Sequence, residues 1–134
     1  MRAIRGATTV NENTREAMRE AVIELLEALE EHNQLHPNDI ISVTFSVTRD
    51  LDAIFPAAIA RERPYWDSVP MLDVQQMHVE GSLERCIRFL IHVHLPEKTP
   101  VYHIYLRHAK NLRPDWDFSE NMIPKSPTTL ERKV

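Results

Sequence analysis

Arginine carries the clearest chemical potential in this chain. Arg5 and Arg88 each fall inside a run of alternating apolar residues, Arg61 follows Phe55-Pro56, and Arg113 stands just ahead of a polar, Pro-rich stretch. A guanidinium offers its donors in a planar fork that fits a carboxylate bidentately, so an arginine inside a strand points to a planar anion as its partner. Tyr105, in another strand-like run, adds a phenolic hydroxyl. Taken singly, each arginine reads as a solvated surface charge, the commonest place for that residue. Arg5 and Arg88 depart from that reading because their strand neighbours are apolar. Other chemistries lack their residues. Gly6 and Gly81 are the two glycines, so phosphate-cradling loops are excluded, and the single Cys86 rules out a CxxC pair. No HExxH and no recognisable Ser or Cys nucleophile with its base occurs. His92 and His94 share a strand face, and with His103 they keep a three-histidine zinc site open as a rival.

The 134 residues fit one domain able to bury a real core. The formal net charge of -4 argues against a broad nucleic-acid surface. The N-terminus lacks the apolar run of a signal peptide and no stretch is long enough to span a membrane. A soluble cytoplasmic protein with no nucleic-acid or membrane partner is expected.

The elements that must position these residues are legible in outline. Arg2 to Thr9 reads as a strand with Ile4 and Gly6 on one face and Arg5 and Ala7 on the other. Asn13 with Glu16 resembles a helix cap, and the helix runs to about His32 on a stripe of Met18, Val22, Leu25 and Leu29. Ile40 to Thr48 alternates with Ile41, Val43, Phe45 and Val47 facing one way. Asp50 to Arg63 reads as short helical turns with Pro56 at a first helical position. Val69 to Val79 is a third strand, Glu80-Gly81-Ser82 a turn, and Arg85 to His94 a fourth strand with Ile87, Phe89, Ile91 and Val93 on one face. Val101 to Lys110 is a fifth, with His103, Tyr105 and Arg107 sharing a face. Residues 1–115 form the domain and 116–134 a flexible tail. The order predicts an α+β fold: a mixed five-stranded sheet covered by one long helix. The opposite sheet face is too polar for a second core and too apolar to be fully wet, which points to self-association.

Ile4-Arg5-Gly6-Ala7-Thr8-Thr9-Val10, Phe55-Pro56-Ala57 with Arg61, Val69-Pro70, Gly81-Ser82-Leu83, Cys86-Ile87-Arg88, His103-Ile104-Tyr105-Leu106 and Leu112-Arg113-Pro114-Asp115 run in register over most of the chain. Together they resemble the monofunctional, trimeric AroH-type chorismate mutases. The resemblance implies a homotrimer with a pseudo-α/β-barrel centre and active sites at the subunit interfaces. It implies a concerted pericyclic rearrangement of chorismate to prephenate, in aromatic amino-acid biosynthesis, with no cofactor and no metal. It assigns Arg88 as donor to the breaking ether oxygen, Arg5 and Tyr105 to a substrate carboxylate, Arg61 of a neighbouring chain to the mouth, and Phe55 to an apolar wall. Ala57, Leu72, Gln76 and Leu112 complete the substrate-binding set, and Arg113 heads a tail that closes over the site.

Two positions depart from the family pattern. The third strand reads Asp73-Val74-Gln75-Gln76, where the family often has Cys or Ser followed three residues later by Glu. Asp73 is expected to act as a relocated carboxylate, with Gln76 keeping one hydrogen bond; the competing reading leaves Asp73 pointing to solvent. Ala58 stands where the family carries a lysine near the entrance, a loss that bears on capture of the dianion. These departures motivate an alternative, a non-catalytic sensor of an anionic metabolite on the same fold. The enamine/imine deaminases, trimers that also grip a carboxylate with arginine, are argued against by the RGATT and CIR segments.

Overall fold

A computed structural model describes residues 1–114. Its elements are β1 (Arg2–Thr9), α1 (Arg15–Asn33), β2 (Ile40–Val47), α2 (Pro56–Ala60), β3 (Met71–Gln75), β4 (Cys86–Val93) and β5 (Ile104–Tyr105), with short 3-10 turns at Pro37–Asp39 and Arg107–Leu112. The sheet order is β3-β2-β4-β1-β5. β4 runs antiparallel to both β1 and β2, while the two edge strands β3 and β5 pair in parallel with β2 and β1. The expected α+β architecture, a mixed five-stranded sheet under one long helix, is the one observed.

The core lies between α1 and one face of the sheet. Met18, Ala21, Val22, Leu25, Leu26 and Leu29 of α1 are fully buried, as are Ile4, Phe45, Ile87 and Ile91 of the strands. A stripe at this spacing turns toward one side of the helix, and its burial is the main stabilising term. Phe45 and Phe89, opposite one another across β2 and β4, meet edge-on at 4.7 Å between ring centroids. Gly6 permits the close approach of helix and sheet: a Cβ there would lie 3.0 Å from Leu29 Cδ1 and 3.4 Å from Leu25 Cδ1.

Several boundaries differ from the sequence expectation for local reasons. The α1 cap is Thr14, one residue after Asn13: its side chain accepts from the Ala17 N–H at 3.1 Å, while Asn13 bonds Asp52 instead. In β2 a register shift between Ile40 and Ser42 puts Ile40 inward and leaves Ile41 half-buried. The third strand shortens to Met71–Gln75 and the helical turns of 50–63 shrink to α2. The largest difference is β5, two residues long. Arg107 takes a positive φ of 55°, turning the chain into the 3-10 turn. Its side chain then reaches Glu24 Oε1 at 2.9 Å and the Thr9 carbonyl at 3.0 Å, so Arg107 does not share the face of His103 and Tyr105 as a straight strand would require. The tail expected from 116 onward, and Asp115, lie outside the described residues. No described helix is long and apolar enough to cross a membrane.

Candidate active site

The sheet face turned away from α1 is where the arginines gather. Ala7 is paired on one side with Arg88 and on the other with Tyr105, so these two side chains flank a residue that offers only a methyl group. Ala7, Tyr105 and Ala109 form a small buried cluster with Leu83 and Leu112 packed against it. That cluster is an apolar floor, and Tyr105 is 4% exposed on it. Two residue pairs along, Arg5 lies opposite Leu90 of β4, which is exposed on the same face.

Arg88 is half-buried, and its Nε is buried with no hydrogen-bond partner. The Cys86 thiol lies beside it: burial pushes the thiol pKa up, and a hydrogen bond from Arg88 works in the opposite direction. Cys86 thus packs fully buried against the guanidinium. Gln76, just past the end of β3, donates its backbone N–H to the Val47 carbonyl at 2.8 Å, and its Oε1 is a second buried polar atom with no partner. Buried polar atoms are normally paired; Arg63 Nε is a third unpaired atom among the described residues, beside the Glu30 pair, while Arg88 Nε and Gln76 Oε1 are a donor and an acceptor open to a ligand group.

His103 joins the arginines from β5's side. The Arg5 backbone N–H donates to His103 Nδ1 at 3.0 Å. Burial and then the nearby charges of Arg5, Arg113 and Arg2 bring the His103 pKa down to about 4. Arg5 and His103 therefore stand together on β1 and the run into β5, within the electrostatic reach of Arg113. Among the described residues no group of three His, Cys, Asp or Glu side chains is placed to hold a metal ion, so His92, His94 and His103 do not form the rival zinc constellation.

The remaining expected residues are at the other edge of the sheet. Asp73 is paired with Phe45, so its side chain points to the helix layer and not to the polar face. Its Oδ1 accepts the Ala57 N–H at 3.0 Å, in the first turn of α2. Burial raises its pKa, offset by that bond and by Arg61. The carboxylate therefore has a defined partner and does not simply face solvent. Phe55, just before α2, is 69% exposed, Leu72 on the outer side of β3 is 61% exposed, and Arg61 is exposed after α2. Strands β2 and β4 separate β3 from β1. One chain thus holds two partial constellations: Arg5, Arg88, Tyr105, Leu112 and Arg113 on the polar face, and Phe55, Ala57, Arg61, Leu72 and Asp73 around the β3 edge. A cavity of about 350 Å³ opens beside Thr48, Asp50, His78 and Ser82, and none of the expected site residues lines it.

The sequence model for chorismate mutase type I matches residues 1–116. The chain belongs to that family. Among curated chorismate mutases, it is 38% identical to AroH of Bacillus subtilis over 122 residues, 90% of this chain and 96% of that one. It is 41% identical to AroH of Thermus thermophilus over 123 residues, 90% of this chain and 99% of that one. The solved chorismate mutase from Clostridium thermocellum superposes with a TM-score of 0.76 at 43% identity, covering 83% of this chain and 99% of that chain. None of these comparisons supports the sensor alternative. For a chorismate mutase the polar face has the needed character: guanidiniums for carboxylates over an apolar floor. Sequence reasoning left out the floor residues Ala7, Leu83 and Ala109. The signal for Ala7 was present, since it alternates with Arg5 on the face opposite Ile4 and Gly6.

Proposed function

We infer that the protein is a chorismate mutase whose reactive pocket forms where the polar sheet face of one subunit meets the β3–α2 edge of a neighbour. It rearranges chorismate to prephenate, a step toward phenylalanine and tyrosine. In that concerted shift a carbon–oxygen ether bond breaks as a carbon–carbon bond forms, and no proton is transferred. The protein's contributions are to hold the folded conformer of a flexible dianion and to meet the charge that develops on the ether oxygen.

The observation that carries this reading is the buried, unpartnered Nε of Arg88 beside Tyr105 and Ala7. In the proposed roles Arg88 donates to the ether oxygen and to a carboxylate. Arg5 and Tyr105 hold a carboxylate over the floor that includes Leu112. Phe55, Ala57 and Leu72 of the neighbour supply the apolar wall, and its Arg61 adds positive potential at the mouth. Arg113, near the end of the described residues, adds positive charge for the bound dianion. Gln76 offers its unpaired Oε1 to a donor. Asp73, anchored on the Ala57 N–H, supplies the acceptor that the family usually draws from a glutamate, serving the substrate hydroxyl and orienting an arginine.

The homotrimer is supported by the exposed Phe55 and Leu72 and by the separation of the two constellations within one chain. The cytoplasm suits a chain with one unpaired cysteine. No step in this mechanism calls for a cofactor. The test is to mix purified protein with chorismate, follow the loss of its ultraviolet absorbance, and identify prephenate by acid conversion to phenylpyruvate. Conversion undiminished by a chelator is expected. Binding of chorismate without conversion would overturn the reading.

A further inference from the structure

His103 has so far appeared as one member of a sequence signature and as a failed metal ligand, yet its position is mechanically unusual. β5 contributes two paired residues to the sheet, Ile104 beside Gly6 and Tyr105 beside Ala7. A strand that short is held by little of its own ladder. The preceding residues are tied down by side chains instead. The Asn33 amide donates to the Tyr102 carbonyl at 2.9 Å and accepts the Tyr102 N–H at 2.8 Å. One residue on, His103 Nδ1 takes the Arg5 N–H at 3.0 Å, the place where a further strand carbonyl would otherwise accept.

We propose that His103 is a positioning residue for the carboxylate end of the pocket: its ring, through Nδ1, holds the main chain of Arg5 and so fixes the point on β1 from which the Arg5 guanidinium meets the substrate. The proposal rests on the reading of Arg5 as a substrate-binding group. An acceptor at Nδ1 requires the tautomer with hydrogen on Nε2, because a ring nitrogen bearing hydrogen cannot accept. The charged groups facing the ring are Arg5 and Arg2 of β1 and Arg113 beyond the 3-10 turn, and together with burial they keep it uncharged at neutral pH. A neutral imidazole is suited to this place. A cation there would lose the bond to Arg5 and repel three guanidiniums, and a carboxylate would compete with the substrate for them.

The effect is expected mainly in binding, since Arg5 meets a carboxylate that persists from ground state to transition state. His103→Ala should raise KM about tenfold, the scale of one lost hydrogen bond, with kcat changed less than about threefold. His103→Asn places an amide oxygen where Nδ1 stands and should restore KM to within about threefold of the parent. Nitrogen NMR of the parent protein at pH 7 should show Nδ1 unprotonated and Nε2 protonated, a readout that does not depend on either variant folding. An Asn variant as impaired as the Ala variant, an Ala variant with the parent's KM, or a ring protonated on Nδ1 would each overturn the proposal. If the parent does not convert chorismate, the function reading fails while the NMR result still decides whether the ring holds Arg5.

Discussion

At the scale of single residues, Arg88 bears most of the chemical weight. Its Nε is desolvated and unpaired in the single chain, so that one donor has already given up water and gains a partner on binding. Arg88→Ala should cost about 3–4 kcal/mol of barrier, a fall of several hundredfold in kcat, measured by the chorismate assay at saturating substrate. Asp73 bears on a different question. Its bond to the Ala57 N–H survives in Asp73→Asn, because the amide oxygen also accepts, while the charge is lost. A drop in kcat of about tenfold or more in that variant would assign the carboxylate a part in catalysis; unchanged turnover would make it a structural anchor for α2. His103 sets a pH dependence. Its folded pKa of about 4 lies below the ordinary 6.5, so between those values the unfolded chain binds a proton that the folded chain refuses. Stability from this group is therefore intact above pH 6.5 and lost as the pH falls toward 4, by about 3 kcal/mol at most. Asp73 works in the opposite sense, since its raised pKa favours the folded state in acid. Urea titrations at pH 7 and pH 4.5 should show a smaller loss for His103→Asn than for the parent.

At the scale of elements, the segment after α2 is held by α1. Glu30 accepts from Trp66 Nε1 at 3.0 Å and pairs with Arg63, and Arg19 of α1 pairs with Glu62. Trp66 is 1% exposed, so its indole N–H would be stranded without Glu30. Glu30→Ala should destabilise the fold by about 2–3 kcal/mol, and Glu30→Gln, which keeps an acceptor for the indole, by less; urea unfolding separates them. The same elements show what could be read in advance. The α1 stripe and the alternation of β4 were legible because one period persists through each element. The β2 phase was misjudged at Ile41 because a single extra residue inverts the facing without changing composition. β5 falls short of the Val101–Lys110 strand that the alternation predicts, because the reversal at Arg107 is a backbone event rewarded by Glu24, 83 positions away. The site followed the same rule. Arg5, Arg88 and Tyr105 share one sheet face, as strand alternation implies. The partner of Asp73 was hidden because it is a main-chain N–H that exists only once α2 has formed.

At the scale of the whole molecule, the two constellations sit at different places on one chain, and a shared pocket makes a prediction about mixtures. Arg88→Ala and Arg61→Ala chains would each lack one half. If the halves come from neighbouring chains, unfolding and refolding them together in equal amounts should yield about a quarter of the parental sites intact, from random pairing around a ring. Activity in the mixture above the average of the two variants alone is expected, and a mixture no better than that average would place both halves in one chain. Light scattering of the parent protein should give three chains per particle.

Asn33 closes the last turn of α1 against the run that leads to Tyr105, giving one amide hydrogen to Leu29, sharing the amide with Tyr102, and taking the Tyr102 N–H on its oxygen. Aspartate has the oxygen but no donors, leucine has the shape but neither group, and glutamine carries the same amide one carbon too far out. A saturation survey scored by enzyme activity would therefore find almost a single permitted letter at position 33. That intolerance would look like direct contact with the substrate, although the side chain does the work of a missing stretch of strand on the far side of the sheet.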